Sequence, residues 1–330
     1  MLTSALFLAA LPARPAGAAT PEWARPALRY LVDHGYMKRA SFSPNDTMSR
    51  RAFKRLMTKA FGGGFSRARG TVTAAEVTRA LVRKLGGAPI ARHLAGAESP
   101  DGWDPGVGSR FGYEVTGREL GLRHDRPTSE ESKESSAGEP MRQADVVWAV
   151  WQAKTSPDLW AADALRDFQL GDYDEARRKV VKFALSLVGA PYVWGGEWPA
   201  RTPSGYPYGA QAHGGFDCSG FAWYVLRRKT TGWSPNRGYR GWALPERSSS
   251  DMARATRNKL RYRELKPGDL VFFASNGSRA KAADVYHAGI YLGRGWMVHS
   301  SGSRAGISLA SIGRGSWWRS QIAWGRRVIR

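Results

Sequence analysis

Cys218 is the only cysteine among 330 residues, and its surroundings suit a nucleophile better than a structural thiol. It follows the glycine-rich turn Gly214-Gly215-Phe216-Asp217 and opens a run in which Phe221, Ala222, Val225 and Leu226 recur at helical spacing. Asp217 is a good N-cap residue, so the pattern predicts Cys218 at the first helical position. Free N–H groups and the helix dipole favour an anion there, so the expectation is a thiol pKa lowered toward the thiolate. A nucleophilic thiol needs a base, and the base needs an orienting partner. Two of the six histidines, His287 and His299, lie downstream in strand-like sequence on either side of Gly293-Arg294-Gly295. That segment reads as a three-residue hairpin loop, which places Gly289 opposite His299 and brings both imidazoles to one sheet face. A two-residue loop would send them to opposite faces.

The elements needed to position these side chains are legible on both sides of the cysteine. Asp174 caps a helix striped with Ala176, Val180, Phe183, Ala184, Leu187 and Val188, and its end at Gly189 delivers Tyr192 toward the cysteine. Strand-like runs follow at Leu265–Phe273, at the two histidine segments, and at Gln321–Ile329. The stretch from Glu197 to Gly215 reads as a rim beside the nucleophile, with His213 in it as a solvated loop residue.

The ordered segments Gly189-Ala190-Pro191-Tyr192-Val193-Trp194-Gly195-Gly196, Phe216-Asp217-Cys218-Ser219-Gly220, Leu265-Lys266-Pro267-Gly268-Asp269-Leu270, His287-Ala288-Gly289-Ile290-Tyr291-Leu292-Gly293 and Met297-Val298-His299-Ser300 carry a resemblance. Residues 174–330 resemble the NlpC/p60-type cell-wall cysteine peptidases. The resemblance implies an α+β, papain-like domain with helices packed on an antiparallel sheet. It implies Cys218 as nucleophile, His287 as base, His299 as the orienting residue and Tyr192 beside the oxyanion. Asp217, Ser219 and Trp194 are implied as substrate contacts. The implied substrate is the peptidoglycan stem peptide, at the γ-D-glutamyl–diaminopimelate bond. An amidase or acyl transferase on the same scaffold, or an inactive wall-binding surface protein, is the alternative. No cofactor is implied, and the spacing of Cys218 and the histidines matches no zinc pattern.

Charge and composition bound the rest. The chain carries +22, of which residues 174–330, with 26 Lys and Arg against 9 Asp and Glu, hold +17. A basic half of this kind suits a polyanionic surrounding such as wall polymers. The basic residues are scattered rather than clustered with stacking aromatics, which argues against nucleic acid. The apolar run Leu2–Leu11 with Ala16-Gly17-Ala18 reads as a signal peptide over residues 1–19 and is too short for a membrane span. The expected location is secreted and wall-associated.

Residues 20–170 read as a helical region with a weak internal repeat. Thr47–Met57 aligns with Thr71–Leu81, each with a Ser/Thr cap (Ser49, Thr73) and a later glycine, and the second has a Thr73/Glu76 capping box. A fainter third copy begins at Met141. The first copy, with Phe42-Ser43-Pro44-Asn45-Asp46 before its helix, resembles an S-layer-homology module, which implies binding to anionic secondary wall polymers. Thr128–Pro140, rich in Ser and Glu, reads as a solvated loop, and the domain boundary is expected near Leu170-Gly171-Asp172.

Overall fold

A computed structural model describes residues 19–66, 69–203, 210–227 and 244–329. The expected signal peptide, save Ala19, lies outside the described residues. The first half is helical: α1 (Arg25–Asp33), α2 (Arg50–Phe61), α3 (Ala74–Lys84), α4 (Ala88–Ala95), α5 (Gly108–Glu119), α6 (Gln143–Thr155) and α7 (Trp160–Asp163). The second half opens with α8 (Glu175–Ser186) and the two-residue strands β1 (Glu197–Trp198) and β2 (Gly215–Phe216). It continues with α9 (Cys218–Leu226), α10 (Ser249–Arg254), β3 (Leu270–Phe273), β4 (His287–Gly293), β5 (Trp296–Ser301), β6 (Gly306–Ser311), α11 (Trp317–Gln321) and β7 (Ile322–Arg326). The architecture is α+β, with helices packed on one antiparallel five-stranded sheet of order β6-β5-β4-β3-β7.

The repeated segments of the first half have a shared structural cause. Ser49 and Thr73 cap α2 and α3 with their hydroxyls, Glu76 completes the capping box, and Gly62 ends α2 at a φ of 69° that few side chains tolerate. The residues entering α2, α3 and α6 bond to one another in a closed ring. The N–H of Met48 donates to Met141 O, that of Met141 to Val72 O and that of Val72 to Met48 O, each at 2.9 Å. All three side chains are buried at the centre. Three short segments thus satisfy one another's backbone, as buried polar groups require.

Thr128–Pro140 is not the solvated loop its composition predicts. A 3₁₀ turn over Thr128–Lys133 buries Glu131, and Glu134, Ser135 and Ala137 are buried beyond it. Glu134 accepts the Arg126 N–H at 2.8 Å, and the Ala137 N–H donates to Gly189 O at 2.8 Å. Composition misses this because Gly189, which anchors Ala137, is remote in sequence.

The hairpin also differs from the expected loop. Arg294 and Gly295 form a two-residue turn with φ of 48° and 80°, closed by the pair Gly293↔Trp296, as in a type I′ hairpin. Leu292 is extruded as a bulge between the pairs Tyr291↔Met297 and Gly293↔Trp296. The extra residue restores the parity that an unbulged two-residue turn would lose, so the side-chain alternation reaching His287 and His299 is unchanged. Strand β6, which the sequence reading lacks, pairs with the full length of β5 and covers what would otherwise be a sheet edge beside His299.

Candidate active site

Asp217 and Gly220 fix the start of α9. The Asp217 carboxylate accepts the Gly220 N–H at 2.5 Å, and the Asp217 N–H donates to Gly196 O at 2.9 Å. A Cβ on Gly220 would sit 1.9 Å from Gly196 O, so the helix start approaches the Gly195-Gly196 turn only because this residue is glycine. Cys218 is thereby held as the first residue of α9, with its Sγ 4.0 Å from Tyr286 O.

His287 opens β4, and His299 sits on β5 next to it. His287 Nε2 and His299 Nδ1 are 2.8 Å apart, one donating and the other accepting. The residues are 6% and 1% exposed. Trp318 of α11 stacks on His287 at 4.8 Å between ring centroids and meets His299 edge-on at 5.3 Å. This apolar cover pushes the His287 pKa down to about 3, and burial together with the charges of His287 and Arg304 holds His299 well below its usual value.

The thiol responds to the same environment. Burial pushes Cys218 up to about 11, and the Asp217 charge adds to the rise; the Ala288 and Ser219 N–H groups and the Arg247 charge work the other way. The expected depressed thiol is therefore reversed, because removal from water outweighs the helix start. At rest the site holds a neutral thiol and a neutral imidazole.

Cys218, His287, Tyr192 and Trp194 face one open cleft of about 600 Å³. Tyr192, bridged to Phe216 through the backbone, is raised above the usual phenol range by burial and by the proximity of Cys218. Trp194, 72% exposed, stands on the rim with its backbone N–H donating to Glu131 at 2.7 Å. Asp217 and Ser219 line the cleft too, but bond within the protein: Ser219 Oγ donates to Asp217 at 3.1 Å and accepts from Arg247 at 2.9 Å.

Arg247 is the organiser that sequence reasoning left without a role. Its guanidinium binds Glu197 at 2.6 Å, Asp217 at 3.2 Å, and Gly195 O and Gly196 O at 2.9 and 3.2 Å. It ties the turn after Tyr192 to the start of the cysteine helix. The available signal was its place in the Leu244–Ser249 segment between the cysteine helix and the sheet. Asp125 and Glu131, from the strap that links α5 to α6 (residues 120–142), flank Tyr192; burial and the neighbouring Glu131 push Asp125 up to about 7.

The rim segment folds around Gln211. Its side chain accepts from the Glu197 and Trp198 N–H groups and donates to Trp198 O, His213 O and Gly215 O. His213 is not solvated: its Nε2 lies 3.0 Å from Glu139 of the strap, which raises its pKa against the pull of burial. Residues 204–209 of this rim lie outside the described residues. Among the described residues no cluster of three His, Cys, Asp or Glu side chains is arranged to hold a metal, and no helix is long and apolar enough to cross a membrane.

Residues 189–326 match the model of the NlpC/P60 family. A probable endopeptidase of Mycobacterium tuberculosis is 38% identical over 125 residues, 38% of this chain and 23% of that protein. The probable peptidoglycan endopeptidase LytE of Bacillus subtilis is 31% identical over 150 residues, 45% of this chain and 34% of that one. The structure of the peptidoglycan hydrolase RipB from Mycobacterium tuberculosis is similar at 28% identity, covering 47% of this chain and 66% of its own, with a TM-score of 0.34. The chain spans less than two thirds of the length of each of these proteins. Residues 189–326 of this chain are an NlpC/P60 domain.

Proposed function

We propose that the protein is a secreted, wall-associated cysteine endopeptidase that hydrolyses peptidoglycan stem peptides between γ-D-glutamate and diaminopimelate. The observation that carries this reading is the 2.8 Å His287–His299 pair, buried on the sheet face whose cleft also holds Cys218 at a helix start. The NlpC/P60 match and the relatives named as peptidoglycan endopeptidases support the substrate class.

In this mechanism the thiol proton passes to His287 as Sγ attacks the scissile carbonyl carbon, so neither charge has to persist in the buried resting site. His299 holds the ring by its bond to Nε2, which leaves Nδ1 as the accepting nitrogen. The carbonyl electron pair moves to oxygen, where the Cys218 N–H and the Tyr192 hydroxyl receive it. Collapse breaks the C–N bond, and His287 returns its proton to the leaving amine. Water then attacks the thioester with His287 as base, which frees the acid and restores the thiol. Trp194 offers an exposed face to the peptide, while Asp217 and Ser219 shape that subsite through Arg247.

Incubation with defined tetrapeptide muropeptides, followed by mass spectrometry, tests the bond. The reading expects a disaccharide ending in γ-D-glutamate and a free diaminopimelyl dipeptide. Release of the whole stem peptide would make the enzyme an amidase instead, and a transferred product would make it an acyl transferase.

Residues 20–170 are proposed to hold the enzyme on anionic wall polymer, with the domain boundary near Gly171. A pocket of about 500 Å³ between the first and third helical copies is lined by Lys38, Arg55 and Lys59 and supports this reading. Reversing these three charges to Glu in the full chain should weaken sedimentation with polymer-bearing sacculi at low salt. Unchanged sedimentation would make the region a spacer.

A further inference from the structure

Beside His299 lies a second cavity of about 120 Å³, lined by Glu119, His299, Ser303, Arg304 and Trp318, the last of which also lines the cleft. His299 Nε2 is buried against it and has no hydrogen-bond partner among the described residues. The same holds for the hydroxyl of Ser308, the residue directly opposite His299 in the β5–β6 ladder. Two such orphans side by side are unusual in a protein interior, where buried polar atoms are bonded as a rule.

The chemistry of the cleft says which proton is involved. His287 must keep Nδ1 bare to accept the thiol proton, so its Nε2 carries hydrogen and donates to His299 Nδ1. His299 is then protonated on Nε2, and that N–H points toward the second cavity. It needs an acceptor, most of all when His287 becomes an imidazolium. The acidic group on the cavity wall is Glu119, the last residue of α5. Its carboxylate is bound by Arg304 at 2.8–2.9 Å, and burial raises its pKa against that pull. The titratable groups facing His299 from the packed elements are thus His287, Arg304 and Glu119. Burial, His287 and Arg304 all oppose a proton on His299, and Glu119 offsets the Arg304 charge.

We propose that Glu119, which lies outside the NlpC/P60 domain, is a positioning residue for the His287–His299 pair. Its carboxylate accepts the His299 Nε2–H through Ser308 and water in the second cavity, and it neutralises Arg304. The cavity has room for this, since one water occupies about 30 Å³. Metal sites show the same logic, in which a carboxylate behind a ligating imidazole fixes its tautomer. The helical half then takes part in catalysis as well as in attachment. The inference rests on the hydrolase reading, and the experiment separates the two.

Full-length protein labelled with ¹⁵N-histidine is compared as wild type, Glu119→Gln and Glu119→Ala, with muropeptide kinetics measured alongside. The wild type should show His299 protonated on Nε2. Glu119→Ala should mix the tautomers and lower kcat about 10- to 100-fold with KM unchanged. Glu119→Gln, which keeps an acceptor of the same shape, should fall between them and guards against a variant that fails to fold. Unaltered His299 nitrogen shifts in a folded Glu119 variant would overturn the proposal, as would a change confined to KM. A wild type that leaves stem peptides intact would sink the hydrolase reading, while the nitrogen shifts would still decide the Glu119 link.

Discussion

Arg126 in the strap and His287 on the face of the sheet are both buried ionisable groups, but their surroundings treat them in opposite ways. In the strap, Arg126 is 2% exposed and lies 2.8 Å from Asp145 and 3.0 Å from Glu130. Burial pulls its pKa down, Asp145, Glu134 and Glu130 together more than restore it, and the guanidinium stays charged. On the sheet, His287 is lowered by burial alone, and Cys218 is raised by burial and a like-signed neighbour. Charge met by charge is a structural device: it locks one arrangement and costs heavily when broken. Groups held neutral with no compensating charge are poised to exchange a proton, which marks a site for chemistry.

The comparison yields a graded set of outcomes. The largest is on the sheet. His287→Ala removes the base and should lower kcat by about 10²- to 10⁴-fold while leaving the fold intact, as read by muropeptide kinetics beside circular dichroism. In the strap the effect should fall on stability instead. Arg126→Met leaves Asp145 buried without its partner and should cost about 3–5 kcal/mol, measured by denaturant unfolding. An Arg126→Met variant that lost activity while keeping wild-type stability would break the distinction.

The smaller effect concerns pH. Above pH 6.5, His287 is neutral in the folded and unfolded chains alike and contributes nothing to pH dependence. As pH falls from 6.5 toward about 3, the unfolded chain takes up a proton that the folded one refuses, so stability declines across that window. His287→Gln should flatten the decline, and an identical pH profile for both proteins would contradict the buried neutral imidazole. At the other end, iodoacetamide should label Cys218 in the folded chain with an inflection above the ~8.5 of free cysteine.

What the sequence disclosed follows the range of the forces involved. Asp217 as a cap, the Thr73/Glu76 box, the stripe of α8 and the shared face of His287 and His299 are local patterns, legible within a dozen residues. The histidine face was reached by a loop count that is one residue too long, and the bulge at Leu292 supplies the missing residue of parity. The bonds of Arg247, the strap and the cavity beside His299 were not legible, because each depends on contacts across long stretches of chain; β6, a local hairpin partner of β5, was simply missed. Arg118 shows the scale. From α5 it donates to Arg304 O, Ala305 O and Ala190 O, and ties the helical half to both ends of the site. One hydrophobic cluster of buried residues runs from Ala27 to Ile329.

The central claim is that Cys218 is the nucleophile. Purified peptidoglycan digested by the full-length protein and by Cys218→Ala, with new diaminopimelyl amino termini counted, tests it directly. The account predicts termini that accumulate with the wild type and stay at background with the variant, whose fold should be unchanged. Termini released at the wild-type rate by folded Cys218→Ala would contradict it.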